Sequence, residues 1–321
     1  MASYPYSAEE CPMARVVGPV TGQRLGIRMP QRAATRQGWL GAAGFLVRRP
    51  GSMIGGALTV LILVLALVGP MLAPVAPDHV DLSARLQGPS RAHIFGTDQF
   101  GRDVLSRLLH GARYSLLITL ASVAVAMVLG TLAGTAAGYF GGWLDRAITH
   151  LMDILLALPS IFLALAVASA FGTGMSKVVL ATALVGIPRV GRIARGSVIA
   201  VKQREFVEAA RALGASNWRI QLRHVLPNCA GSLIVFATLW TGTTLIYASG
   251  LSFLGVGVQP PTPEWGAMLA DAQPYLLRAP ALALFPGLAI TLLVLGLNLL
   301  GDGVRDYLDP GTRKKLQGTT E

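Results

Sequence analysis

The chain has 321 residues, of which 53% are hydrophobic and 13% are charged, whereas about 25% of an ordinary soluble domain is charged. This composition excludes a purely soluble protein and indicates a protein that lipid solvates. A net charge of +11 would suit nucleic-acid binding, but aromatic residues are not interleaved with the arginines, and we expect no nucleic-acid partner. Basic residues concentrate between Arg15 and Arg49 and between Arg189 and Arg223, as the positive-inside rule predicts for cytoplasmic segments.

Six stretches are candidates to cross a hydrocarbon core about 30 Å thick, which takes roughly 20 helical residues. The fourth is short as strictly apolar sequence, and we expect it to continue past Arg189 as a helix that leaves the membrane. The sequence thus predicts an all-α, polytopic membrane protein with six transmembrane helices and both termini in the cytoplasm. The predicted spans are residues 53–73, 115–139, 148–171, 173–193, 233–251 and 281–300.

Three regions of different character follow from these spans. Residues 1–40 are predicted to be a basic, disordered N-terminal arm, residues 41–310 a transmembrane domain with a cytoplasmic loop at 196–230, and residues 311–321 a cytoplasmic tail. Residues 39–47 are either a short amphipathic helix in the membrane interface or a linker.

A helix is also predicted ahead of the second span. Asp103 is suited to cap it, and its apolar face would leave Arg102 and Arg107 turned to water. Such a helix would lie on the outer membrane surface, where it would either help to seat an external binding protein or anchor the loop.

Spans two and three carry features expected to shape helix packing. Pro159 is expected to bend span three and to shape a pathway or gate. Asp153 and His150 are interpreted as structurally hydrogen-bonded, because the other spans lack the further groups that a proton relay would need. Small residues every four positions in span two predict a close helix contact, within this chain or with a partner: Gly130, Gly134 and Gly138.

Arginines recur every three residues at the end of span four, at Arg189, Arg192 and Arg195. This spacing predicts a basic stripe on one side of the helix. We expect the stripe to face cytoplasmic lipid headgroups.

A polar, helix-forming segment, residues 205–228, then lies between two apolar ones. Gly214 is suited to end one helix in a left-handed conformation, Ser216 or Asn217 to cap the next, and Pro227 to mark the turn into span five. The sequence predicts a helical knob that either receives a partner or packs only on its own span ends. The residues expected to meet a partner are Glu205, Glu208, Ala209, Ala210, Gly214, Leu226 and Pro227.

The loop after span five is rich in proline. Pro260, Pro261 and Pro263 stiffen it, and Glu264 and Trp265 follow, with an indole suited to the membrane interface. The loop would contact a binding protein, plug a pathway, or serve only as a rigid re-entry turn.

Glu208-Ala209-Ala210 with Gly214 and Leu226-Pro227 resembles the EAA loop of ABC-importer permeases, which in that family docks on the ATP-hydrolysing subunit. The family's usual apolar residue two positions before Leu-Pro is here His224. Three further segments resemble the C-type subunit of the dipeptide, oligopeptide and nickel branch. They are FGTDQFGRDVLSRLLHGARYSL at 95–116, GLSFLGVGVQPPTPEWGAML at 250–269 and GDGVRDYLDP at 301–310.

The resemblance covers most of the chain from about Val47 to Pro310 and implies a type I ABC importer permease in the inner membrane of a bacterium. Its implied partners are a second homologous permease chain, two ATP-binding cassette subunits and an extracytoplasmic substrate-binding protein. The chain would be a transport subunit and not an enzyme. ATP and Mg would bind to the partner ATPases, since this chain has no G-x-x-x-x-G-K-[ST] motif.

The residues predicted to contact the binding protein or outer gate are Asp98, Arg102, Asp103, Pro261, Glu264 and Trp265, and those predicted to lie at a pathway or gate are Asp153 and Pro159.

The expected substrates are dipeptides or oligopeptides, with glutathione or nickel as alternatives. The spans offer no cysteines or clustered histidines for nickel. A gradient-driven transporter or channel that acts without ATPases is a different class of function. It would need ionisable residues along the spans and inverted repeats, and we find neither.

Overall fold

The computed structural model describes residues 49–308, so the predicted arm, residues 39–47 and the predicted tail lie outside the described residues. Within this range the chain is helical, with single 3-10 turns at Leu82–Ala84 and Gln273–Tyr275 and an isolated β-bridge between Thr97 and Asp103. The predicted all-α class is confirmed for this part. The helices are α1 Pro50–Leu72, α2 Val104–Phe140, α3 Gly142–Ala157, α4 Ser160–Phe171, α5 Met175–Lys202, α6 Glu205–Ala212, α7 Asn217–Ile220, α8 Leu226–Phe253, α9 Trp265–Ala272 and α10 Ala281–Leu308.

Four helices of the described range are long and apolar enough to cross a membrane: α1, α2, the continuous run Asn217–Phe253 and α10. The pair α3 and α4 makes a fifth if it is taken as one span, broken by a 95° bend. α5 is long enough but carries five lysines and arginines. Length and apolarity alone therefore support four or five spans, and the predicted count of six is not confirmed.

α2 is a single helix from Val104 to Phe140, where the sequence predicted a surface helix followed by a separate span. Asp103 caps it as predicted, with its Oδ2 accepting a hydrogen bond from the Ser106 N–H at 2.8 Å. No proline interrupts the chain between these two predicted helices, and Gly111 lies against the Trp265 ring. The helix therefore continues through the predicted break.

The glycines of α2 form the predicted close contact, and the neighbour is α5 of the same chain. A Cβ atom on Gly130 would lie 2.6 Å from the Val190 Cβ, and one on Gly134 would lie 2.2 Å from the Gly191 carbonyl oxygen. Any side chain at these positions would separate the two helices, which is why the small residues are needed.

The bend between α3 and α4 falls at Pro159, as predicted. Leu158 is extended, with φ −84° and ψ 136°, which is the conformation that a following proline favours. Pro159 itself precedes the first residue of α4.

The two ends of the helix bundle are formed by different segments of the chain. The knob end holds the junction of α2 and α3, residues 203–225 and the end of α10, and the Tyr139 hydroxyl there donates to Asn217 Oδ1 at 2.9 Å. The opposite end, here called the clamp end, holds residues 73–103, residues 254–264 and α9. At the clamp end Arg107 Nη1 donates to the carbonyls of Pro77 and Pro261 at 3.2 and 3.3 Å.

Candidate functional site

Residues 203–225, here called the knob, form two short helices joined by a tight turn. α5 ends at Lys202, and α6 begins at Glu205. Gly214 has φ +77°, the left-handed conformation predicted for it. Ser216 caps α7, because its hydroxyl accepts a hydrogen bond from the Arg219 N–H at 3.4 Å.

One face of the knob packs on the bundle. Val207, Ile220 and Val225 are fully buried in a cluster that also contains Val198 and Val201 of α5. Ala210 is buried in the same cluster but also lines the open cavity on the other face, so its contact with a partner stays a prediction. Its small side chain lets α6 lie close to the bundle. This packing fixes the knob to the ends of α5 and α8.

The other face of the knob is exposed and carries both acidic and apolar groups. Glu205, Glu208 and Ala209 are exposed, and so are Leu213 at 87% and Trp218 at 66% of their surfaces. An open cavity of about 380 Å³ lies here, lined by Phe206, Ala209, Ala210, Leu213, Gly214, Ala215, Arg219 and His224. The sequence analysis did not predict that large apolar residues would be exposed on this face of the knob. The signal was present, since large apolar residues in a polar segment are expected to be either buried or covered by a partner.

Leu226 and Pro227 lie inside a continuous helical run, so the predicted turn at Pro227 is wrong. Residues Gln221–Val225 form a π-helical turn, and the Leu226 N–H donates to the Gln221 carbonyl five residues back. Pro227 cannot donate a backbone hydrogen bond to the preceding turn, and the π-helical turn directly before it lets the helical run continue past this missing bond. The wider turn therefore lets the knob run directly into α8.

The predicted arginine stripe on α5 lies against α3 and α4 of the same chain. Arg195 makes a two-pronged ion pair with Asp145 at 2.5 and 2.7 Å, and Arg192 pairs with Asp153. The expectation that the stripe faces lipid headgroups is therefore wrong for Arg195, although Arg192 stays half exposed. Asp153 is structurally paired, as predicted, with an arginine as the partner.

At the clamp end, three buried charged side chains and the partly buried Asp271 form a network. Asp98 accepts from Arg102 Nε at 2.6 Å and lies 3.6 Å from Arg107 Nε, and Asp271 of α9 lies 3.7 Å from Arg102 Nη2. Arg102 and Arg107 are buried, which corrects the prediction that they turn to water. Burial raises the pKa of Asp271, and Arg107 and Arg102 oppose that rise. The network ties the residues before α2 to α9.

Glu264 and Trp265 are also buried, and they join α9 to α2. Glu264 Oε1 accepts from the Ser115 hydroxyl at 2.9 Å and the Gly266 N–H at 3.0 Å, and Oε2 accepts from the Ala267 N–H at 3.0 Å. The Trp265 indole donates to the Leu108 carbonyl at 3.0 Å. The prediction of an indole at the membrane interface is therefore wrong.

Replacing Glu264 with alanine is expected to destabilise the clamp end by about 1.5–3 kcal/mol, because three donors lose a charged acceptor. The change should appear as a lower melting temperature of the purified protein in detergent. Glu264→Gln is the matched control. It should lower the stability less than alanine does, because the amide oxygen of glutamine can still accept a hydrogen bond. An alanine variant that melts with the wild type would contradict this account of α9.

The six predicted outer contacts differ in accessibility. Pro261 is exposed, whereas the side chains of Asp98, Arg102, Asp103, Glu264 and Trp265 are buried. A direct contact with a binding protein therefore stays a prediction for Pro261, and the buried residues support the surface around it. Across residues 49–308 no three histidine, cysteine or acidic side chains are grouped so as to hold a metal ion.

The comparisons with known families agree with this geometry. Residues 111–314 match the family described as binding-protein-dependent transport system inner membrane component, and residues 39–89 match the N-terminal TM domain of oligopeptide transport permease C. The chain belongs to the first of these families, whose model covers more than half of it. It is accordingly a multi-pass membrane component of a binding-protein-dependent ABC transport system.

Bacterial permease proteins and a solved transporter structure are similar to the chain. The glutathione transport system permease protein GsiD of Pectobacterium atrosepticum is 45% identical over 82% of this chain and 88% of its own. The dipeptide transport system permease protein DppC of Alkalihalophilus pseudofirmus is 43% identical over 85% of this chain and 90% of its own. An inward-facing structure of the MetNI methionine ABC transporter has a TM-score of 0.53 at 19% identity, over 63% of this chain and 96% of that chain, which supports the fold alone.

Proposed function

We propose that this chain is one permease half of an ATP-driven importer and that it carries short peptides across the inner membrane. The second half is a homologous permease chain, so the two form a heterodimer with type I importer architecture. In this proposal the bent pair α3 and α4 and the basic helix α5 also cross the membrane, which gives six spans. Two of the five basic residues of α5, Arg192 and Arg195, are neutralised by aspartates of α3.

The knob is the proposed docking site for an ATP-binding cassette subunit, and its two-faced structure is the observation that carries the proposal. Buried aliphatic residues fix one face to α5 and α8, while Glu208, Leu213 and the cavity beside them are open on the other. Because the knob is attached to the ends of two long helices, a displacement of the knob is passed to both. ATP binding in two cassette subunits would draw the two knobs together. The two permease halves would then rotate between an outward-open and an inward-open arrangement.

Charge distribution supports a cytoplasmic position for the knob end. The knob carries four arginines against two glutamates, and such an excess of basic residues is expected for a cytoplasmic segment. The arginines are Arg204, Arg211, Arg219 and Arg223. The clamp end would then face the extracytoplasmic binding protein, and the charged network would hold α9 and the loop at Pro261 in place for that contact. Both termini follow as cytoplasmic.

The proposed substrates are dipeptides or oligopeptides, and glutathione is the main alternative. The relative DppC is named for dipeptide transport and the relative GsiD for glutathione transport. The two are nearly equally identical to this chain. Nickel is a weaker alternative, because direct binding would need nitrogen or sulfur ligands, and the described residues hold no metal-binding group. ATP and Mg would be bound by the cassette subunits.

Uptake into proteoliposomes tests this proposal. The chain would be reconstituted with its partner permease, cassette subunits and binding protein, with ATP enclosed on the knob side. A labelled dipeptide, oligopeptide and glutathione would be compared. The proposal predicts uptake of a peptide that needs both ATP and the binding protein. Uptake that persists without ATP and follows an ion gradient would contradict it.

A further inference from the structure

Three arginines of α5 face the bent pair α3 and α4, and they differ in how their charges are balanced. Arg195 pairs with Asp145 and Arg192 with Asp153. Arg189 donates from Nη2 to the Ser160 hydroxyl at 2.6 Å and from Nη1 to the Val185 carbonyl at 2.8 Å. Within residues 49–308, no carboxylate lies within ion-pairing distance of Arg189.

Of these three arginines, Arg189 lies farthest from the end of α5 that meets the knob. α5 spans 28 residues, or about 42 Å, and Arg189 lies about 20 Å from either end. Its guanidinium lies over Trp240, which is near the midpoint of the predicted span 233–251, so Arg189 lies within the bilayer in the proposed arrangement. A cation at this depth is costly unless an anion neutralises it.

The surroundings of Arg189 supply hydrogen bonds but no negative charge. Its guanidinium lies over the Trp240 ring, with Cζ 4.8 Å from the centroid. The indole Nε1 of Trp240 is buried against Gly186 of α5 and has no hydrogen-bond partner among residues 49–308. Arg189 and Ser160 are only partly buried by the rest of this chain.

We propose that Arg189 binds the free carboxylate of a peptide as the peptide passes the bend at Pro159. Every linear peptide with an unmodified C-terminus carries such a group, and so does glutathione. A guanidinium matches a carboxylate with two parallel hydrogen bonds and holds its charge at any physiological pH. The inference rests on the proposed peptide importer and names a specificity residue within it.

The test compares a tripeptide with its C-terminal amide in the complete reconstituted importer. The binding protein is loaded beforehand, and only pairs in which both forms load, as checked by native mass spectrometry, are used. The wild type should import the acid about tenfold faster than the amide, since a charge-assisted hydrogen bond to the acid is lost with the amide. Arg189→Gln should slow the acid to the rate of the amide and leave the amide unchanged.

Two further variants make the result decisive. Arg189→Lys keeps the charge and should keep most of the preference for the acid. Arg192→Gln is the matched control and should keep all of it, because Arg192 already has Asp153 as its partner.

Three outcomes would overturn the inference. They are a wild type that imports acid and amide equally, an Arg189→Gln variant that slows both alike with its assembly and ATP hydrolysis intact, and failure of both Arg189 variants to assemble. The last two would make Arg189 a structural tether of α4. A wild type that imports neither form would instead refute the proposed peptide importer.

Discussion

Replacing Gly134 with valine is expected to prevent the chain from forming a stable bundle. A Cβ atom there would lie 2.2 Å from the Gly191 carbonyl oxygen and 2.7 Å from the Ala194 Cβ. Both are parts of α5 that cannot rotate away, so α2 and α5 would have to separate. The expected loss of stability exceeds about 3 kcal/mol, the upper end of the usual cost of overpacking. The measurement is the melting temperature and the yield of monodisperse protein in detergent.

Gly196→Val is the matched control for this change. Gly196 lies in α5, is exposed, and an added Cβ there would have no atom of a neighbouring helix within 4 Å. Its valine variant should purify and melt nearly as the wild type does. Equal melting temperatures for the Gly134 and Gly196 variants would show that the contact between α2 and α5 does not depend on the glycines.

Reversing the charge of Glu208 is expected to uncouple ATP hydrolysis from the permease without unfolding it. Glu208 is exposed in α6 and no hydrogen bond fixes its side chain within the described part of the chain. Glu208→Lys should therefore melt as the wild type does, while binding-protein-stimulated ATP hydrolysis falls about tenfold or more, as expected when a charged interface contact becomes repulsive. Leu213→Asp should have the same effect, because it places a charge on the apolar part of the knob.

Asp302→Lys is the control for the Glu208 variant. Asp302 is an exposed acid near the end of α10, at the knob end but outside the knob. Its charge reversal should leave stimulated hydrolysis intact. Equal losses in the Asp302 and Glu208 variants would mean that surface charge at this end matters and that the knob does not act as a specific docking site.

Features governed by neighbouring residues could be predicted from the sequence. The bend at Pro159, the left-handed Gly214 and the caps at Asp103 and Ser216 each follow from the chemistry of one residue and its next few neighbours. The glycine spacing of α2 also predicted a close helix contact, although α5 as its partner could not be read from the sequence.

Features governed by distant residues could not be predicted. Arg102 and Arg107 look solvent-exposed until Asp271, more than 160 positions away, meets them at the clamp end. Trp265 is buried because its indole reaches the Leu108 carbonyl. The π-helical turn before Pro227 depends on how the knob packs on α5 and α8, and that packing has no local sequence signal.

Co-purification tests the central claim most directly, namely that this chain is a permease half driven through its knob. The tagged chain would be expressed with the proteins of its host, extracted in mild detergent and analysed by mass spectrometry beside Glu208→Lys. The account predicts that a second permease and ATP-binding cassette subunits co-purify with the wild type, and that the variant keeps the permease but loses the cassette subunits. A wild-type chain that purifies alone, or a variant that retains the cassette subunits in full, would contradict it.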